Sequence, residues 1–348
     1  MKTTPFILLA LTLSLHGGVS RAADADPLAR EHAFEAVTQR VYDKARELVR
    51  WGDFDSLERL YLQAADERVL KGASLSLIDQ EGLVGDAVDA WQSAHRDNDR
   101  SYETQLELMR QWTQRRPKLA LAHIAYAKVL SQYAWSVRGG SYAREIPSER
   151  MRKFGSLSDK ALSYLRSHRQ LVEADSYGRI RMLWTLRDTG ADLEEIWATA
   201  ERYIRLDPKQ YGIYAFLGEA FAPRWGGSAE ALDFVARESV KLTREQLGFG
   251  AYSRVHSAAA NLEYGAGIFS NSLAKWPEMK QGFEDSLSRR PTLWLHHRFA
   301  YFACLAKDRT VLREQLELLG EDLKKKPEWW GSNGSRTQAD CVRFAEQT

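Results

Sequence analysis

Residues 289–308 read RRPTLWLHHRFAYFACLAKD, and this stretch decides the fold class. An arginine pair ends one periodic segment, Pro291 disfavours its continuation, and a short run of alanine and aromatic residues begins. The same order stands earlier as RRPKLALAHIAYAKVLSQYAW over residues 115–135 and, with Leu206-Asp207 in place of the arginine pair, as LDPKQYGIYAFLGEAFAPRW over residues 206–225. Helix, proline stop, new helix is how helical hairpins are punctuated. The pattern predicts an all-α chain of stacked antiparallel helical hairpins, curved like a short, irregular solenoid. Pro117, Pro208 and Pro291 are unequally spaced, and neither interval is a single tetratricopeptide period of about 34 residues. Hairpins of variable length fit better than a regular array.

Outward from these phrases, helical periodicity dominates. Leu193, Ile196, Trp197, Ala200, Tyr203 and Ile204 follow a three-four spacing behind Asp192, with Glu195 placed to complete a capping box. Phe54, Leu57, Leu60, Tyr61 and Ala64 repeat the spacing behind Asp53, and Leu312, Leu316, Leu319 and Leu323 repeat it behind Asp308. Helices are predicted near 28–50, 53–70, 82–95, 101–115, 119–136, 148–172, 175–189, 193–206, 210–221, 229–246, 249–268, 277–289, 293–306, 309–325 and 336–346. Leu75–Ile78 is the one short candidate for a strand. No low-complexity linker divides residues 23–348, which are expected to form a single domain.

The chain opens with the pattern of a secretory signal over residues 1–22. Lys2 precedes an apolar run from Phe6 to Leu15, and Ser20-Arg21-Ala22 supplies a small-x-small site, predicting cleavage near Ala22. That run is too short for a bilayer span, which needs about 20 residues. A soluble mature chain, periplasmic or secreted and without a transmembrane segment, is therefore expected. Of 49 basic and 47 acidic residues, Lys2 and Arg21 leave with the signal, so the formal balance falls to zero. A neutral protein has no global attraction for nucleic acid or anionic membrane. Eleven Trp, 14 Tyr and 13 Phe supply the area for a large core. Cys304 and Cys341 form an even pair that an oxidising compartment permits to bridge, tying the last helix to the one carrying Phe302. The alternative is that Cys304 is simply a small core residue.

Two phrases each close a proline-opened helix with a tryptophan, an arginine and paired glycines. The first holds Trp135, Arg138, Gly139, Gly140 and Tyr142; the second holds Arg224, Trp225, Gly226, Gly227 and Ser228. The glycines suit positive-φ turns, and Ser228 suits an N-cap. As a ligand or partner patch, a planar arginine and an indole clamp a carboxylate, a sugar or a peptide. As structure, the tryptophan packs under the turn while the arginine stacks on it or bonds the last carbonyls.

Other chemistry finds little support. His296 and His297 are adjacent, so they point about 100° apart on a helix and cannot share an ion. There is no HExxH, no G-x-S-x-G elbow and no P-loop. His123 and His256 fit polar edges or bonded core positions, and Gly265-Ala266-Gly267 fits a packing feature inside a helix. Lys324-Lys325-Lys326 reads as a solvated helix end, and Asn333-Gly334-Ser335 as an ordinary turn. No metal or cofactor is expected.

The ordered phrases resemble the bacterial family called domain of unknown function 4034. The matching runs are Tyr133-Ala134-Trp135 with Arg138-Gly139, then Pro223 to Ser228. Trp276, Met279 and Gly282-Phe283 follow, and then Phe299-Ala300 through Ala303-Cys304. Pro277 departs from the pattern at a position where a first helical turn tolerates it. The resemblance implies a tetratricopeptide-like helical domain and no assigned activity. The expectation is a non-catalytic module binding a protein or peptide. The alternative is an enzyme acting on a cell-envelope glycan through carboxylates that the sequence does not single out.

Overall fold

The computed structural model describes residues 43–49, 52–65, 99–331 and 333–347. The signal segment, the strand candidate Leu75–Ile78 and the helix predicted at 82–95 lie outside those residues. Among the described residues the regular structure is entirely helical, and no helix is long and apolar enough to cross a membrane.

A helical run over 43–49 precedes α1 (Phe54–Ala65), α2 (Asp99–Arg115), α3 (Ala120–Arg138), α4 (Ser148–Ser167) and α5 (Arg169–Ala174). Then come α6 (Ser176–Asp188), α7 (Leu193–Leu206), α8 (Tyr211–Ala220), α9 (Ala229–Leu247), α10 (Gly250–Ala259) and the single turn α11 (Ile268–Asn271). The chain finishes with α12 (Trp276–Arg289), α13 (Leu293–Leu305), α14 (Arg309–Leu319) and α15 (Gly334–Glu346).

The proline phrases separate two kinds of helix. Those before the stop are amphipathic: α7 buries only Ile196, Ala200, Tyr203 and Ile204, and α12 only Met279, Gly282, Phe283 and Ser286. Those after it, α3, α8 and α13, are buried on nearly every side, so they lie in the interior. Contacts run from α3 to α6, from α6 to α8, from α8 to α10 and from α10 to α12. Two of these seams need glycine. A Cβ on Gly218 would lie 2.2 Å from the Val255 carbonyl oxygen, and one on Gly282 would lie 2.5 Å from that of Phe249.

Helix starts follow local chemistry, with one correction. Ser228, Thr292 and Asp308 each accept the backbone N–H three residues on, all at 3.1 Å. The capping box expected behind Asp192 does not form: the Asp192 side chain makes no cap bond, and Glu195 instead accepts from Arg166 Nη2 at 2.7 Å. Three long helices are also shorter than their periodicity suggests. The one expected over 148–172 breaks at His168 (φ −113°). The one over 249–268 ends at Ala259, where a wide turn over Ala260–Tyr264 leads to Gly265 at φ +52°. Gly265-Ala266-Gly267 therefore breaks the helix rather than packing inside it. The one over 309–325 ends at Leu319 because Gly320 takes φ +46°.

Cys304 and Cys341 are joined by a disulfide, with Cα atoms 5.7 Å apart, which fixes α15 to α13.

Candidate functional site

The two Trp-Arg-Gly phrases, far apart in sequence, meet. The Trp135 and Trp225 rings stand edge to face, 6.0 Å between centroids. Between them lies the end of α6. The Arg187 guanidinium is 4.0 Å from the Trp225 ring centre, 4.4 Å from that of Trp184 and 5.8 Å from that of Trp135. Its charge is met by Asp188, whose Oδ1 accepts from Arg187 Nη2 at 2.7 Å, and Asp188 Oδ2 accepts the Trp135 indole N–H at 2.8 Å. Both side chains are nearly buried, so this is a desolvated ion pair walled by three indoles.

The polar groups expected to clamp a ligand are engaged within the chain, although Arg224 stays exposed. Arg138 stacks 4.9 Å from the Trp135 ring centre and donates from Nη1 to the Gly139 and Ser141 carbonyls at 2.9 and 3.2 Å. Arg224 donates from Nε to Glu263 Oε2 at 2.9 Å. Ser228 caps α9. The glycines divide by role. Gly139 (φ +78°) and Gly226 (φ +86°) hold the positive-φ turns. Gly227 does not need that freedom. It is glycine because a Cβ would stand 1.9 Å from the Phe221 carbonyl oxygen. Gly140 has open space around it. Tyr142 is 65% exposed and is the exposed aromatic of the set.

Arg187, Asp188 and Trp184 were not singled out by the sequence argument, yet a signal was present. Trp184-Thr185-Leu186-Arg187 repeats the spacing of Trp135-Ser136-Val137-Arg138, which puts ring and guanidinium on one helix face. Glu219, near the end of α8, had no such signal. Burial pushes its carboxyl pKa up, while the charges of Arg187 and Arg224 oppose that rise.

The histidines serve packing. His123 contacts Tyr164 Oη at 2.8 Å and the Pro117 carbonyl at 3.1 Å. His296 meets Gln315 Oε1, and His297 accepts the Trp330 indole N–H. His256 is fully buried, 3.7 Å from Asp233 Oδ1. Burial holds all four pKa values below 6.5. Among the described residues no cluster of side chains is arranged to hold a metal ion. The Lys324–Lys326 run lies at the end of a 3-10 turn, with Lys325 paired to Asp322 and Lys326 5.3 Å from the Trp329 ring centre.

Comparison with family models, with curated proteins and with solved structures finds no match.

Proposed function

We propose that this chain is a non-catalytic helical-repeat module, secreted or periplasmic, that binds a protein or peptide partner. Antiparallel hairpins stacked as a tetratricopeptide-like, irregular solenoid account for the alternation of amphipathic and fully buried helices. The motif order resembling domain of unknown function 4034 supports the same architecture. The observation that carries the binding reading is Tyr142. It is 65% exposed, on a loop whose carbonyls are fixed by Arg138. Arg150 Nε donates to the Val137 carbonyl at the base of the same loop, at 2.5 Å. Arg144, itself exposed, stacks 5.5 Å from the Tyr142 ring centre. A rigidly mounted aromatic beside an arginine is the kind of anchor that dominates partner interfaces. The test is affinity recovery from native envelope extract with wild type and with Tyr142→Ala/Arg144→Ala, circular dichroism confirming equal helicity. Recovery of the partner should fall by about tenfold. Unchanged recovery by the folded double variant removes the reading.

Glu219 favours a second reading, an enzyme acting on a cell-envelope glycan. Its carboxyl is shifted in the direction a general acid requires, and Arg187, which opposes that shift, is walled by Trp135, Trp184 and Trp225. Release of reducing ends from purified envelope glycan by wild type, lost in Glu219→Gln, supports it. No release by wild type excludes it.

A further inference from the structure

The third proline phrase borders a cavity rich in arginine. Where α10, α12 and α13 meet the start of α8, they enclose a cavity of about 420 Å³, within the range of small-molecule sites. Its lining includes Arg254, Arg289 and Arg290 and holds no aspartate or glutamate. Tyr211, Trp294 and Leu247 supply aromatic and apolar wall, and Ser286 a hydroxyl. Thr292 and Leu295 also line it, so the N-terminal end of the 13-residue helix α13 borders the space and adds its positive dipole end to the three cations.

Arg254 is the decisive group. Its guanidinium lies 3.9 Å from the Tyr211 ring centre, and its Nε is shielded from water with no hydrogen-bond partner. The titratable groups acting on it are Tyr211, Tyr214 and Arg290, with no carboxylate among the described residues beside it. Burial pulls its pKa down to about 10, and Arg290 pushes the same way.

Among the described residues, Arg181, Arg298 and Arg309 also have an Nε shielded from water without a hydrogen-bond partner, but of these four arginines only Arg254 lines the cavity. Three other arginines that are largely buried find acceptors. Arg187 has Asp188. Arg179 reaches Gln210 Oε1 and the Glu173 carbonyl at 2.7 and 2.9 Å. Arg298, brought by burial to the same pKa of about 10, donates to the Trp329 carbonyl at 2.8 Å. A largely buried guanidinium, its Nε shielded from water and facing a cavity without an acceptor, is costly unless an anion completes it. Lysine would not serve the same way, because the planar fork matches an oxyanion with two parallel bonds.

We propose that this cavity binds a small organic or inorganic oxyanion, its carboxylate or phosphate seated on Arg254 and its remaining atoms against Tyr211 and Trp294. Arg290, just past the end of α12, adds to the attraction, while Arg289 is held 3.9 Å from Asp285 Oδ1. This proposal is independent of the partner-binding reading and involves none of the residues of the Tyr142 loop.

The test uses the full secreted chain at low ionic strength. Thermal shift and calorimetry are run with inorganic phosphate, citrate and benzoate, each at millimolar concentration, for wild type and for Arg254→Met. At least one probe should stabilise wild type and bind it about tenfold or more tighter than the variant. Ligand-free Arg254→Met should melt no lower than wild type, because an uncompensated charge has been removed. The rank of phosphate against the two carboxylates identifies the chemical source. Should the variant fail to fold, wild type alone decides: arginine-selective dicarbonyl labelling with peptide mapping should show Arg254 protected by the best probe. The proposal is overturned if no probe stabilises wild type, if wild type and variant respond alike, or if Arg254 is labelled equally with and without the anion.

Discussion

Acid should weaken this fold through His297, and the size of the effect follows from what surrounds the ring. His297 is fully buried on α13, its Nδ1 accepts the Trp330 indole N–H at 2.9 Å, and Trp329 packs edge-on at 5.1 Å. Burial pulls its pKa from 6.5 to about 4; Asp322 and Glu328 oppose the shift and His296 reinforces it. A proton on Nδ1 would face the indole N–H donor to donor. The folded chain therefore takes up this proton less readily than the unfolded chain. Its stability is complete above pH 6.5 and is lost as pH falls toward 4. Between pH of about 7.5 and about 5 the linkage from this one ring comes to about 2 kcal/mol. The assay is urea unfolding by circular dichroism at both pH values, for wild type and for His297→Gln. Glutamine keeps an acceptor for Trp330 and does not titrate. His123, His256 and His296 are also held neutral by burial, so the total loss in wild type exceeds one ring and the difference between proteins isolates His297. The variant should lose about 2 kcal/mol less than wild type. Equal losses would refute the reasoning.

Two further outcomes test the packing. Cys304 and Cys341 close a loop over a separation of 37 residues, so chain entropy makes the bridge worth about 4 kcal/mol; thermal unfolding with and without reductant checks this, and an unchanged midpoint contradicts it. Gly227→Ala should destabilise by about 2 kcal/mol or more, because the new Cβ would stand 1.9 Å from the Phe221 carbonyl oxygen. Gly140→Ala, with nothing within 4 Å, should stay within about 0.5 kcal/mol of wild type. Equal melting shifts for the two variants would show that the paired glycines do not differ as the structure requires.

What the sequence made legible is the part of the fold that local chemistry decides. Proline stops, Ser228 and Asp308 act over a few residues, and the helices they open begin where the spacing places them. The departures are also local but finer. Asp192 and Glu195 have the right spacing for a capping box, yet Glu195 is drawn across to Arg166 on α4. Gly265 and Gly320 sit inside good helical periodicity and break it, since a positive φ overrides a hydrophobic stripe.

The candidate sites were legible only to the extent that they are local. Trp-x-x-Arg at 135–138 announces a stacked pair on one helix face, and so does the same spacing at 184–187. That these two faces converge with Trp225 depends on which helix lies against which, and no spacing encodes that. The cavity makes the same point more sharply. Arg289 behaves as a helix-end charge should, donating to the Asp285 carbonyl at 2.7 Å. Arg254, in the plain run Tyr252-Ser253-Arg254-Val255, has no local mark at all. Its isolation from carboxylates arises because Tyr211 and Arg290 arrive from helices remote in sequence. A cation acquires chemical meaning here from the acceptors its neighbours fail to supply, which is a property of the packed helices and not of any motif.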